Sequence, residues 1–127
     1  MSTNKKVLVV DDEREIVKLI SIKLAKEGFE VLEAYDGEEA LQKIFQEKPD
    51  LILLDFMMPR VSGWEVFTTL KENSELRDIP IIAITAMGHF EELIKHPAFE
   101  IAGYIIKPFD TNEVIKKVKE TLGKNES

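Results

Sequence analysis

The stretch DLILLDFMMPRVSGW, residues 50–64, decides how the rest of the chain is read. Leu51 to Leu54 are four apolar residues in a row without polar alternation, the pattern of a strand buried on both faces. Asp55 ends that run, and Phe56, Met57 and Met58 resume it. A lone carboxylate at the edge of a core costs roughly several kcal/mol unless it is paired, solvated or bound to a metal. Asp55 therefore needs partners, and the rest of the sequence has to supply them.

Runs of the same kind recur. KVLVV (6–10), FEVLEA (29–34), IPIIAI (79–84) and GYII (103–106) join DLILL (50–54) as strand candidates. Between and after them, apolar residues return at helical spacing: Ile16, Ile20 and Leu24, then Leu41 and Phe45, Phe67 and Leu70, Val114 and Val118. Capping-box spacing at Asp12/Glu15, Asp36/Glu39, Ser62/Glu65 and Asp110/Glu113 marks helix starts, and Gly28 and Gly123 stand as stops. Five such strands alternating with helices give an α/β domain with a doubly wound, five-stranded parallel sheet. Right-handed crossovers then send every strand's C-terminal end to the same edge.

That edge collects the polar residues. VLVV is followed by Asp11 and Asp12, LILL by Asp55, IIAI by Thr85 and YII by Lys107; only the second strand, ending near Ala34 and Tyr35, brings none. Ligands of open α/β sheets bind at this edge. Three carboxylates in close quarters repel one another and raise at least one pKa. A divalent cation removes the conflict, and all-oxygen ligation suits Mg²⁺, with Mn²⁺ as the alternative. Lys107 and Thr85 exceed what a metal site needs. Together with the cation they match the three equatorial oxygens of a phosphoryl group in transfer. One carboxylate then remains as a nucleophile able to carry an acyl phosphate. Singly, Asp12 serves as a helix cap, Asp55 as a turn residue, Thr85 as a strand-end hydroxyl and Lys107 as a surface lysine. Those plainer roles leave unexplained why all four end strands of one orientation.

Length and composition fit this picture. A chain of 127 residues, 44% hydrophobic and 32% charged, suits one soluble domain. Its net charge of -7 argues against direct binding to DNA, RNA or anionic lipid. There is no apolar run of membrane-spanning length, no signal-peptide pattern and no cysteine, so the cytoplasm is the expected location.

In these residues the chain resembles the receiver domain of two-component response regulators, the CheY-like proteins. The similarity runs from VLVVDDE through LLDFMMPRVSGWE and ITA to YIIKPF. It implies a flavodoxin-like (βα)5 sheet of order 2-1-3-4-5 and one receiver domain over residues 1–127, with its core at about 5–122. By the same resemblance Asp55 is the phosphoacceptor. Asp12 and Asp55 bind Mg²⁺ directly, Asp11 acts mostly through water, and the Met57 backbone carbonyl supplies another ligand. Thr85 and Lys107 contact the phosphoryl oxygens. Tyr104 is the switch aromatic, turning inward as Thr85 moves. Pro59 and Gly63 match the loop after the acceptor, and the Lys107–Pro108 bond is typically cis in the family. The donor would be a histidine kinase or histidine phosphotransfer protein, with catalysis confined to the domain's own phosphorylation and dephosphorylation. With no residues left for an output domain, a stand-alone regulator would signal by contact with another protein, not with nucleic acid or membrane, or else the chain is a fragment of something longer.

Two rival readings stand beside it. A pseudo-receiver that is never phosphorylated would fit degenerate acidic or lysine positions, and these are intact. A flavodoxin-like FMN protein needs a Ser/Thr/Gly-rich phosphate loop where this chain has DDEREI. The departures from the family lie in MGHFEELIKHPAFEIAG (87–103), which also lacks the common Gly-Ala-Asp approach to the last strand. Pro97 stands where the helix between the fourth and fifth strands usually continues. That helix is expected to start near His89–Glu91 on an apolar face of Phe90, Leu93 and Ile94, and to end at or just before His96. His89 and His96 are expected at the surface rather than on a metal.

Overall fold

The computed structural model describes residues 5–58, 60–86, 88, 89, 91, 95 and 101–126. Five strands, β1 (Lys6–Val10), β2 (Glu30–Ala34), β3 (Leu51–Asp55), β4 (Ile81–Ala86) and β5 (Gly103–Lys107), form one sheet in the order β2-β1-β3-β4-β5. Every neighbouring pair is parallel. This is the flavodoxin-like order expected from the resemblance. The helices are α1 (Arg14–Lys26), α2 (Gly37–Glu47), α3 (Gly63–Lys71) and the closing helix Thr111–Glu126. None among the described residues is long and apolar enough to cross a membrane.

Strand alternation divides the core in two. Leu8, Val10, Ile52, Leu54, Ile81 and Ala83 point to the face covered by α2 and α3, where Ile44, Val66, Phe67 and Leu70 meet them. Val7, Val9, Leu51, Leu53, Ile82, Ile84 and Ile105 point to the opposite face, against Val17, Ile20 and Leu24 of α1 and Val114 and Val118 of the closing helix. The central strands are apolar on both faces because both faces are covered.

Local signals worked at most helix ends. Asp36 accepts the Glu39 N–H at 2.8 Å, and Ser62 accepts the Glu65 N–H at 3.4 Å. Asp110 caps its helix through the Asn112 N–H at 2.7 Å. At Gly28, with φ of 95°, α1 closes in a Schellman turn: Gly28 N–H donates to the Ala25 carbonyl and Phe29 N–H to that of Leu24.

Other expectations need correction. Asp12 does not cap α1: the N-cap is Glu13, without a side-chain cap, and the Glu13 N–H itself goes to Asp11 at 2.9 Å. On α2 the buried face is Gly37, Ala40 and Ile44, so Leu41 sits at its margin and Phe45 is 47% exposed. Gly123 does not stop the closing helix, which runs on to Glu126; glycine weakens a helix interior without forbidding it. The fourth strand begins at Ile81, after Pro80, which has no N–H for the ladder, and it carries Thr85 and Ala86 inside it. Asp55 and Lys107 likewise are the last residues of their strands rather than the first beyond them. His89, expected at the surface, is half-buried. Gly88, His89 and Glu91 are helical, as expected for the helix after β4. The places of Pro59, Phe90, Leu93, Ile94, His96 and Pro97, and with them the expected helix end, lie outside the described residues.

Gly63 is one of two very tight points among the described residues. A Cβ there would lie 2.4 Å from Phe56 Cα and 2.5 Å from the Asp55 carbonyl oxygen, so only glycine lets the start of α3 back directly onto the end of β3. Both neighbours are backbone and cannot swing aside. Gly63→Ala is expected to cost roughly 2–3 kcal/mol, at the upper end for overpacking, read as a lowered urea midpoint with unchanged slope.

Candidate functional site

The register of the sheet builds the site. Val10 pairs with Leu54, and Asp55 with Ile84, so Asp11, the first residue past β1, stands level with Asp55, the last of β3. Both follow the alternation of Val7, Val9, Leu51 and Leu53, and so project on the α1 side. Ile84 pairs with Ile105. Lys107, two residues further along β5, shares that face, and its long stem reaches back across β4. Ligand oxygens of Asp11, Asp12 and Asp55 lie within 4.8 Å of one another. The Lys107 ammonium stands 3.0 Å from Asp11 Oδ2 and 3.5 Å from Asp55 Oδ2.

Each carboxylate has a distinct setting. Asp55 is buried, and its Oδ1 accepts the Met57 N–H at 2.9 Å, which leaves Oδ2 facing Lys107. Asp11 is wholly buried. Its Oδ1 takes the Glu13 N–H, while Oδ2 has the lysine as an ion-pair neighbour but no donor at hydrogen-bond angle. Asp12 is exposed at the mouth. Burial pushes the Asp11 carboxyl up to about 7; the Glu13 N–H opposes the rise, the Asp55 charge adds to it, and Lys107 opposes it. Asp55 is raised too, first by burial. The Met57 N–H, the Lys107 charge and a hydrogen bond with Asp11 pull it back, and the Asp12 charge adds to the rise. Burial alone would lower Lys107, but Glu13, Asp11 and Asp55 outweigh it and push its pKa up.

The donor set suits a hard divalent cation: all oxygen, crowded, partly protonated at neutral pH for want of positive charge, with one buried oxygen lacking a donor. Of the residues picked out in the sequence, the structure brings Asp11, Asp12, Asp55 and Lys107 together. Thr85 is buried near them but on the other face of the pleat, in line with Ala83, and its hydroxyl donates to the Ala86 carbonyl at 3.3 Å. Tyr104 pairs with Ala83, so it is a same-face diagonal neighbour of Thr85. It is 43% exposed, with Lys117 Nζ 5.8 Å from its ring centre. The Lys107–Pro108 bond is cis. Sequence reasoning missed Glu13, whose Oε1 is 2.7 Å from Lys107 Nζ. Its signal was the third acid of the DDE run, which reads as a helix start.

Residues 7–119 match the family described as Response regulator receiver domain. This chain belongs to that family. The receiver domain is 44% identical over 125 residues to the alkaline phosphatase synthesis transcriptional regulatory protein PhoP of Bacillus subtilis (strain 168), a match covering 97% of this chain and 50% of that protein. The chain thus spans about half the length of the curated relatives it matches. Among solved structures it is similar to the chemotaxis response regulator CheY4 of Vibrio cholerae, with TM-score 0.86 and 32% identity over 94% of this chain and 99% of that one. It is also similar to the receiver domain of Francisella response regulator 1452, with TM-score 0.85 and 31% identity over 96% and 99%.

The raised Asp11 carboxyl makes a prediction about stability. Its ordinary value is 3.8, so between about 4 and about 7 the folded chain holds a proton there that the unfolded chain has lost. Without divalent ions this contribution to stability is therefore full below about pH 4 and is lost as pH rises to about 7. Asp11→Asn removes the loss. In EDTA the variant is expected to match the parent near pH 4 and to exceed it by up to about 4 kcal/mol at pH 8, measured by urea unfolding.

Proposed function

We propose that this receiver domain takes a phosphoryl group from a histidine kinase or histidine phosphotransfer protein onto Asp55, and that it signals through a change of shape read by another protein. The observation that carries this reading is the cluster of Asp11, Asp12 and Asp55 with the Lys107 ammonium 3.5 Å from Asp55 Oδ2. Since the Met57 N–H occupies Oδ1, Oδ2 is the oxygen free to attack. It forms the new O–P bond as the P–N bond to the donor imidazole breaks, and the ring nitrogen leaves with its electron pair and takes up a proton. Asp11, Asp12, Asp55 and the Met57 carbonyl would hold Mg²⁺, or Mn²⁺ in its place. That cation, when bound, neutralises charge on the transferred oxygens.

Lys107 balances a second share of that charge from the α1 side. Thr85 would exchange the Ala86 carbonyl for a phosphoryl oxygen, and the half-exposed Tyr104 would follow into the space beside it. The domain then shifts between two populated states, and a cytoplasmic partner binds one of them better. In the stand-alone arrangement that partner is a separate protein. In a second arrangement, favoured by the match to half of PhoP, the receiver acts on a further domain of a longer regulator.

Acetyl phosphate with Mg²⁺ is expected to add one phosphoryl mass to the intact protein and none to Asp55→Asn. An unmodified parent would favour the pseudo-receiver reading. Trp64 packs edge-on to Phe56, with ring centres 5.4 Å apart, so its fluorescence reports on the loop after Asp55. In a Mg²⁺ titration followed by that signal, Asp12→Ala should weaken binding roughly tenfold or more, the scale seen even for residues one step removed from a metal. Parent affinity should itself fall as pH drops through about 7, because the Asp11 proton must leave before the cation binds.

A further inference from the structure

Lys107 carries three N–H donors, and three carboxylates compete for them. Glu13 is the nearest at 2.7 Å, ahead of Asp11 at 3.0 Å and Asp55 at 3.5 Å. Both ends of the nearest contact are anchored. The Glu13 N–H is bound by Asp11 Oδ1 at 2.9 Å, and its carbonyl accepts from Ile16 at 3.0 Å and Val17 at 3.2 Å at the start of α1. Lys107 is the last residue of β5, paired to Ala86. The Glu13 carboxylate itself is 58% exposed and is not among the clustered oxygens that could share a metal. Neither cation nor acceptor uses it, yet it holds the ammonium most closely.

We propose that Glu13 is a positioning residue for Lys107, the counter-ion that a phosphoryl group on Asp55 must displace; this rests on the acceptor reading of Asp55. In the phosphate-free domain the Glu13 carboxylate draws the ammonium toward the mouth of the site. A phosphoryl group brings new acceptor oxygens beside Asp55 Oδ2, and Lys107 reaches them by giving up Glu13. The contact thus stabilises the unmodified state and weakens the hold on the phosphoryl group by the same factor.

The test titrates beryllofluoride, with Mg²⁺ saturating, into the parent, Glu13→Gln and Glu13→Asp, followed by Trp64 fluorescence. Glu13→Gln is expected to bind roughly two- to fivefold more tightly, the worth of a partly exposed ion pair. Glu13→Asp keeps the charge but is one methylene shorter, and should move the same way because its carboxylate no longer reaches the ammonium. Equal affinity in all three proteins, or an Asp variant that matches the parent while Gln tightens, would overturn the positioning role; the second result would leave only long-range charge. A parent that binds no beryllofluoride would overturn the acceptor reading, and this proposal with it. Independently, the ¹⁵N-labelled Lys107 ammonium signal, assigned by its loss in Lys107→Arg, should shift or broaden in metal-free Glu13→Gln. An unchanged signal would also overturn the proposal.

Discussion

Asp11 and Asp55 stand at the ends of neighbouring strands with almost no access to water, and the Lys107 ammonium lies within ion-pair distance of both. A buried charge stripped of its partner costs on the order of 3–5 kcal/mol, so neither carboxylate could remain ionised there without the lysine. Yet both carboxyls are raised, which means that burial, with the charge of Asp55 on Asp11 and of Asp12 on Asp55, still exceeds what one ammonium returns. The edge of the sheet is therefore short of positive charge, and this shortage is the driving force for any cation that enters. Lys107, pushed upward by the same neighbours, keeps its charge throughout.

A site of this kind needs its carboxylates held in place, since repulsion would otherwise separate them. Backbone does most of the holding. Asp11 and Asp55 each form a tight turn with the N–H two residues on. Behind Asp55, Gly63 brings the start of α3 against the strand end, and Phe56, Trp64 and Phe67 lock α3 there through mutual edge and tilted contacts at 5.4 to 5.9 Å. Gly37 plays a matching part for the neighbouring loop, where a Cβ would meet the Val61 carbonyl oxygen at 2.3 Å. These contacts make the Asp55 carboxylate the fixed point and leave the lysine stem as the adjustable one.

The strand order and the four grouped site residues were legible because continuous apolar runs with polar ends carry both signals at once. The errors have specific causes. On α2, Ala40 and Leu41, then Ile44 and Phe45, are adjacent apolar pairs, so periodicity alone left the buried face undecided by one residue; packing chose the smaller pair. Asp12 and Glu15 have capping spacing, but the helix starts one residue later, with Glu13 as N-cap. Strand alternation through Val7 and Val9 turns Asp11 inward, where it takes the Glu13 N–H. Glu13 was invisible because its partner depends on how far a lysine stem ninety-odd positions away can reach, which no local pattern encodes.

Thr85 shows what register adds to a list of strand ends. Ile84 lies level with Asp55, so Thr85 sits one step beyond Asp55 and on the opposite face, in line with Ala83. Inside the sheet such residues could not meet. At the edge the strands stop, and a group projecting past Asp55 becomes reachable from both faces. In the proposed function Lys107 would meet it from the α1 side and Thr85 from the other, at the one place where the two faces communicate. Tyr104, diagonal to Thr85 on that second face, is half-exposed, with Lys117 Nζ 5.8 Å from its ring centre. In that proposed function a charge event on one side of the sheet would be read on the other across this edge.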